Sequence, residues 1–263
     1  MKLILLGSGN AATQLGIAFY EAGFKILQIY SPNPEHASLL AEKLESAPAT
    51  SPAELNINQA DAVISALKDS VAENVWRQLD FGNCPVFHTA GSMPMNTLQP
   101  FAKHYGVLYP LQTLTRNRKL DFKKVPLFLE AESAETMQLL HKMADTISNS
   151  VREITSEQRK ELHLAAVFAN NFSNHMFNLA TQLLQKNNLE FELLLPLIDE
   201  TAAKVHDLPP EQAQTGPAIR YDENIIGKHL QLLENQPEIA EIYRLISRSI
   251  HNSSRQTDKS QKG

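Results

Sequence analysis

The sequence predicts a doubly wound α/β sheet of the N-terminal dinucleotide-binding kind, followed by an all-α C-terminal domain. Three observations predict it. Up to about residue 152, short apolar runs alternate with helical segments, the pattern of a mostly parallel sheet with helices on both faces. The first apolar run passes into the first helix through Gly7-Ser8-Gly9-Asn10-Ala11-Ala12. Beyond residue 152 the strand-like runs stop and helical periodicity takes over.

Each element has a local reason. Residues 2–6 read as a buried strand, and residues 10–22 as a helix with Ala11, Leu15, Ala18 and Phe19 on one face. A strand over 24–30 follows. Asn33-Pro34 then supplies an N-cap and a first-turn proline for a helix over 35–44. Residues 60–66 form the next buried strand. Ser70-x-x-Glu73 is a capping box for a helix carrying Trp76 and Leu79. Further strands are expected at 85–88, 106–109 and 125–129. Thr155-x-x-Gln158 is a second capping box, and no glycine or proline occurs from Ser156 to Lys186, so one long helix is expected there. Residues 191–205, 223–234 and 237–250 also read as helices, with Pro196 kinking or starting the first of them. The expected division is therefore 1–152 for the dinucleotide-binding domain and 153–250 for a helical substrate and dimerisation domain. Residues 251–263, polar and rich in Ser, Gln and Lys, are expected to be a disordered tail.

Composition narrows the function. The chain has 263 residues, 43% of them hydrophobic and 20% charged, and a formal net charge of -5. No cationic face is evident, which argues against a nucleic-acid partner. The run Arg116-Asn117-Arg118-Lys119, with Lys123 and Lys124 beyond it, reads as a solvated loop. Cys84 is the single cysteine, so no internal disulfide can form, in keeping with a reducing cytoplasm. No apolar stretch approaches the ~18 residues of a membrane span, so a soluble, cytoplasmic protein is expected. His88, His163, His175 and His206 show no ligand spacing, and no metal is expected.

Gly7, Gly9 and Ala12 fit the G-x-G-x-x-A pattern: a tight turn, a close backbone approach to a pyrophosphate, and close packing of helix on strand. The helix that follows aims its free N–H groups and positive dipole end at the phosphates. Gly7, Ser8, Gly9, Asn10, Ala11 and Ala12 are thus cofactor-binding candidates. At the end of the second strand, where NAD sites usually place Asp or Glu, stand Tyr30-Ser31-Pro32-Asn33. Without that carboxylate a 2′-phosphate meets no repulsion, and Ser31 and Asn33 can donate to it, so NADP is preferred over NAD. Leu67, in the turn after the strand over 60–66, is expected beside the cofactor.

His88 ends a predicted strand and leads into Thr89-Ala90-Gly91-Ser92. A histidine at that edge can exchange protons near neutral pH, with Ser92 placed for substrate, or it can simply cap the strand. Tyr109 ends the next strand and reads as structural, with Gln112 and Thr113 lining the cleft. In the long helix His163, Asn170 and Asn174 share a face, flanked by Asn171 and Asn178. Asparagine is a poor helix former, so this polar stripe faces either a substrate or another helix. Arg220, in Thr215–Asp222, can hold an acidic substrate group or pair with Asp222.

Taken together, GSGNAA, FHTAGSMPMNTL, LYPLQTLT, HLAAVFANNF and TGPAIRYD resemble a bacterial family with a Rossmann-like N-terminal domain and a helical C-terminal domain of unknown function. Its members are described as NADP oxidoreductases without an assigned reaction. The resemblance implies kinship with 6-phosphogluconate and β-hydroxyacid dehydrogenases and with ketopantoate and pyrroline-5-carboxylate reductases, and dimerisation through the helical domain. β-Hydroxyacid dehydrogenases carry a lysine in the long helix and an asparagine one turn later. Here Lys160 is followed at that spacing by Leu164, so their pair is absent and His163 with Asn170 occupies the region. The expected function is NADP-dependent hydride transfer to or from a small carbonyl, imine or hydroxyacid at an interdomain cleft. His88 or His163 would handle the proton, Asn170 would orient the substrate and Arg220 would bind an acidic group. The rival from another class is a dinucleotide-binding sensor or scaffold dimer without chemistry.

Overall fold

The computed structural model describes residues 1–260. Contacts divide the chain into two compact units, Met1–Phe172 and Ser173–Gly263. The first is built on β1 (Lys2–Leu6), α1 (Asn10–Glu21), β2 (Lys25–Tyr30), α2 (Pro34–Lys43), β3 (Ala47–Ala49), β4 (Ala62–Ser65), α3 (Asp69–Trp76), β5 (Val86–His88), β6 (Tyr105–Pro110), β7 (Leu127–Ala131), α4 (Ala134–Ile147), β8 (Val151–Glu153) and α5 (Ser156–Ala166). The strands form one eight-stranded sheet in the order β3-β2-β1-β4-β5-β6-β7-β8. All neighbours are parallel except β6 and β7. This is the expected doubly wound architecture, with one antiparallel pairing.

The period of two along β1 shows why the sheet is covered on both faces. Leu3 and Leu5 enter a core shared with α1, α2 and α4, including Leu15, Phe19, Leu40 and Met143. Ile4 and Leu6 enter the opposite core with Val63, Trp76 and Phe81. The Asn33 cap is present, its Oδ1 accepting from the His36 N–H at 3.1 Å, and Pro34 opens α2. The box at Thr155 and Gln158 is also complete. The expected box at Ser70 is not formed. Lys68 caps α3 without a side-chain bond, Ser70 lies inside the first turn, and the helix ends at Trp76, before Leu79. Asp69, at the helix start, brings its charge to the positive dipole end in place of a cap.

Two short strands, β3 and β8, carry no alternation to announce them; each is three residues long and pairs at a sheet edge. Because β8 joins the sheet and α5 packs onto it through Arg159 and Leu162, the first unit runs to Phe172, past the expected boundary at 152.

The long helix forms, but with a π turn over Val167–Phe172 before it continues as α6 (Ser173–Gln185). The second unit adds α7 (Leu195–Asp207), α8 (Pro210–Ala213), α9 (Pro217–Arg220), α10 (Glu223–Leu232) and α11 (Pro237–Ser260). Pro196 starts α7 rather than kinking it. α11 runs on through the segment from 251 that was expected to be tail, while 261–263 lie outside the described residues. Within this unit Tyr221 adopts a left-handed φ of 50°, and its ring lies 5.1 Å from that of His251. No helix among the described residues is long and apolar enough to cross a membrane.

Candidate active site

Parallel pairing lines up Tyr30, Leu6, Ser65, His88 and Val107 in one row near the carboxyl ends of their strands. Ligands of open α/β sheets bind at this edge.

The glycine turn sits on it. Gly7 has φ 114°, its N–H donates to the Tyr30 carbonyl at 2.8 Å, and a Cβ there would fall 2.6 Å from the Ala66 carbonyl oxygen. Only glycine lets this turn nest between β2 and the end of β4. Gly9 caps α1 without a side-chain bond, and a Cβ on it would meet nothing within 4 Å, so the cradle is open above Gly9. Ala12 is fully buried, packing helix against strand. No acidic residue lies in the first turn of α1. The residues therefore fit an anionic dinucleotide, with the N–H groups at the start of α1 left to hold its phosphates.

Beside the turn, the Ser8 hydroxyl donates to Ser31 Oγ at 2.9 Å, and the Asn33 N–H reaches the same oxygen at 3.3 Å. Ser31 is buried in this junction. Asn33 spends its oxygen on the α2 cap, which leaves its amide nitrogen free as a donor. Glu35, in the first turn of α2, is the nearest carboxylate in sequence. Leu67 is half-buried against the second core.

The chemical groups gather at the ends of β5 and β6. Tyr109 is buried with Val107 and Phe128, and its hydroxyl lies 3.0 Å from His163 Nδ1, the rings meeting edge to face. Gly91 makes room for this. A Cβ there would fall 2.5 Å from His163 Nδ1 and 2.6 Å from its Cγ. A cavity of about 400 Å³ opens beside the pair, lined by residues that include Gln112, Thr113, Ala166, Asn170 and Asn171. Apart from His163 and Tyr109 its lining holds no ionisable side chain. The expected His163 and Asn170 are thus brought together, and so are Gln112 and Thr113. Asn174 and Asn178 belong to the second unit and do not line this cavity. An α-helix would set Asn170 and Asn171 about 100° apart. Both lie on the π turn and both line the cavity wall, and such turns recur at functional sites.

Other candidates are differently employed. His88 is 2% exposed, its Nδ1 accepts from the Ala90 N–H at 3.2 Å, and its Nε2 makes no hydrogen bond of normal length among the described residues. Burial first, then the Arg159 charge, push its pKa down to about 3, against a weaker opposing pull from the Pro94 carbonyl. His88 is therefore neutral at physiological pH, a hydrogen-bond donor and not an imidazolium acid. Ser92 spends its hydroxyl on Asp69 at 3.0 Å. Arg220 ends α9 in the second unit, exposed, and among the described residues it has no ion pair. Its expected partner Asp222 caps α10 instead.

Two groups escaped the sequence reading. Arg159 is 1% exposed and ion-paired with Glu130. Its guanidinium also donates to the Met93 carbonyl at 2.6 Å, and Glu130 accepts from the Ser156 hydroxyl and N–H. This network ties α5 to β7 and to the 89–95 segment that carries Gly91. A carboxylate within the otherwise apolar LFLEA run was the available signal.

The open glycine turn at the carboxyl edge of a doubly wound sheet is the geometry of a dinucleotide-binding α/β protein. Residues 2–84 match the model of the coenzyme F420-dependent NADP oxidoreductase domain, and 125–250 match a domain of unknown function, DUF2520. A crystal structure of a "putative NADP oxidoreductase" from Bacteroides fragilis is 50% identical, covers 95% of this chain and 98% of its own, and superposes with a TM-score of 0.91. The chain belongs to this NADP oxidoreductase family. No curated protein matches it. The fold is shared more widely. An imine reductase of Streptomyces aurantiacus (12% identity, 96% and 94% coverage, TM-score 0.66) has it. So does a pyrroline carboxylate reductase of Plasmodium falciparum with NADP bound (14%, 97% and 98%, 0.58).

Proposed function

We propose that the protein is an NADP-dependent reductase of a small C=O or C=N compound, working at the cavity beside Tyr109 and His163. The observation that carries this reading is the hydrogen-bonded pair at the edge of the sheet, on the same edge as the glycine turn. The end of β6 lies three strand spacings from the end of β1, about 14 Å, so a dinucleotide lying along the edge spans from cradle to cavity. The turn Gly7–Ala12 and the first N–H groups of α1 hold the pyrophosphate. Ser31 and Asn33 receive the adenine ribose, and Leu67 flanks it. The absence of a carboxylate at the end of β2 supports NADP over NAD. When bound, the reduced cofactor supplies a hydride.

The chain's own residues do the rest. His163 presents a ring nitrogen to the cavity and handles the proton, Asn170 and Asn171 offer amides that orient the substrate, and the alanines leave room for it. A lining without charged side chains favours a substrate whose reacting end is neutral. Reversal of the same steps oxidises a hydroxyl compound. The relatives named as imine and pyrroline carboxylate reductases support C=N compounds as the first to try.

Exposed Phe177, Leu193, Leu197 and Leu245 in the second unit support a homodimer formed through the helical domain, which sedimentation equilibrium tests. The functional test is NADPH oxidation with a panel of cyclic imines, ketones and aldehydes. Turnover of at least one class is expected, and His163→Ala should abolish it with little change in NADPH affinity. Tight NADPH binding with no turnover across the panel would instead favour a sensor.

A further inference from the structure

We infer that Tyr109 is the inner proton donor of the site: its hydroxyl donates to His163 Nδ1 and supplies the proton that His163 passes on from Nε2. This rests on the reductase reading above, but its tests separate the two.

The geometry limits His163 closely. Its Nδ1 is 3.0 Å from the Tyr109 hydroxyl and is walled by Gly91, where even a Cβ would not fit. Its Nε2 has no protein partner among the described residues, and the ring lines the cavity. In a neutral imidazole the hydrogen bond at one nitrogen decides which carries the proton. A hydroxyl donating to Nδ1 fixes the proton on Nε2, on the side of the substrate. Burial holds the Tyr109 hydroxyl above its ordinary range, more than the Arg159 charge lowers it, so the donor is loaded at neutral pH.

The step balances. As hydride reaches carbon, the C=O or C=N electron pair moves to oxygen or nitrogen. That atom takes the proton from His163 Nε2, Nδ1 takes the proton from Tyr109, and a tyrosinate remains. An alkoxide or amide anion is far more basic than tyrosinate, so the transfer runs downhill. The charged and titratable groups around Tyr109 are His163 and Arg159 on α5, Glu130 on β7 and His88 on β5. His88 is neutral, and Glu130 is engaged by Arg159 and Ser156. The Arg159 guanidinium is therefore the cation that steadies the tyrosinate until solvent reprotonates it.

Two measurements decide the matter. The first is ¹⁵N NMR of the histidine rings in the cofactor-free protein, assigned with His163→Gln. The wild type should show His163 as the Nε2–H tautomer and Tyr109→Phe a mixture. A wild-type Nδ1–H signal would mean that His163 donates to the tyrosine, and would overturn the inference whether or not a substrate is found. The second is the pH profile of reduction. The wild type should lose kcat at alkaline pH as Tyr109 ionises. Tyr109→Phe should lower kcat by about 10²-fold or more and abolish that limb, with KM nearly unchanged. An unchanged profile in Tyr109→Phe, with His163→Ala inactive, would remove Tyr109 from the chemistry and leave the reductase reading intact.

Discussion

Gly91→Ala tests the packing that makes the site. The added Cβ would lie 2.5 Å from His163 Nδ1, against 3.4 Å for the closest ordinary contact, so ring or loop must give way by 0.9 Å, the difference of the two. Neither is free to do so. The 89–95 segment is tied to Arg159 through the Met93 carbonyl, and α5 is tied to β7 through Glu130. The overpacking should cost about 1–3 kcal/mol of stability. A misplacement near 1 Å at a reacting group costs on the order of 10²-fold in kcat. The assay is a double-mutant cycle read by urea denaturation, with kcat and NADPH affinity measured on each protein. Gly91→Ala should destabilise the wild-type background and cost clearly less beside His163→Ala, where the obstructing ring is gone and only the retained Cβ, 3.1 Å away, is crowded. Its NADPH affinity should stay close to wild type, because the cradle at the end of β1 lies two strand spacings from β5. An equal stability loss in both backgrounds, or wild-type kcat in the single variant, would refute the claim that Gly91 exists to admit His163.

Other consequences follow from individual contacts. Gly7→Ala meets both a φ of 114° and an Ala66 oxygen at 2.6 Å, so it should lose at least about 1–3 kcal/mol by thermal unfolding and bind NADPH poorly. Glu130→Gln leaves the Arg159 charge buried without its counter-ion. Since Glu130 itself is partly solvated, the loss should be about 3 kcal/mol in urea, with kcat reduced as α5 loosens. His88 is held neutral in the fold with a pKa near 3, while the unfolded chain takes up a proton below its ordinary 6.5. Its contribution is present above pH 6.5 and is lost as the pH falls toward 3. Between pH 7 and pH 5 it should remove about 2 kcal/mol, and His88→Gln should flatten that part of the stability curve.

The sheet was legible because most of its strands are largely apolar runs bounded by turn chemistry, as in AVIS between Asp61 and Lys68. The edge strands β3 and β8 were not, because three residues cannot display a period. The glycine turn was legible from its place between strand and helix. His163 and Asn170 stood out as polar residues in a long helix, but the π turn that carries Asn170 and Asn171 depends on backbone bonding that no spacing rule encodes. Tyr109 read as structural because its chemistry comes from a partner 54 residues away. Arg159 was hidden for the same reason, since a surface arginine and a buried one look alike until Glu130 is brought across the sheet. His88 was placed correctly at the strand end, but only its burial shows that it stays neutral.

The most direct test of the central claim is thermal unfolding of the wild-type protein against increasing NADPH and NADH. A ligand that binds only the folded state stabilises it by about 2.7 kcal/mol at 100 times its Kd. NADPH should raise the midpoint progressively and at lower concentration than NADH, and Gly7→Ala should abolish the shift. A midpoint that neither nucleotide moves would contradict the account.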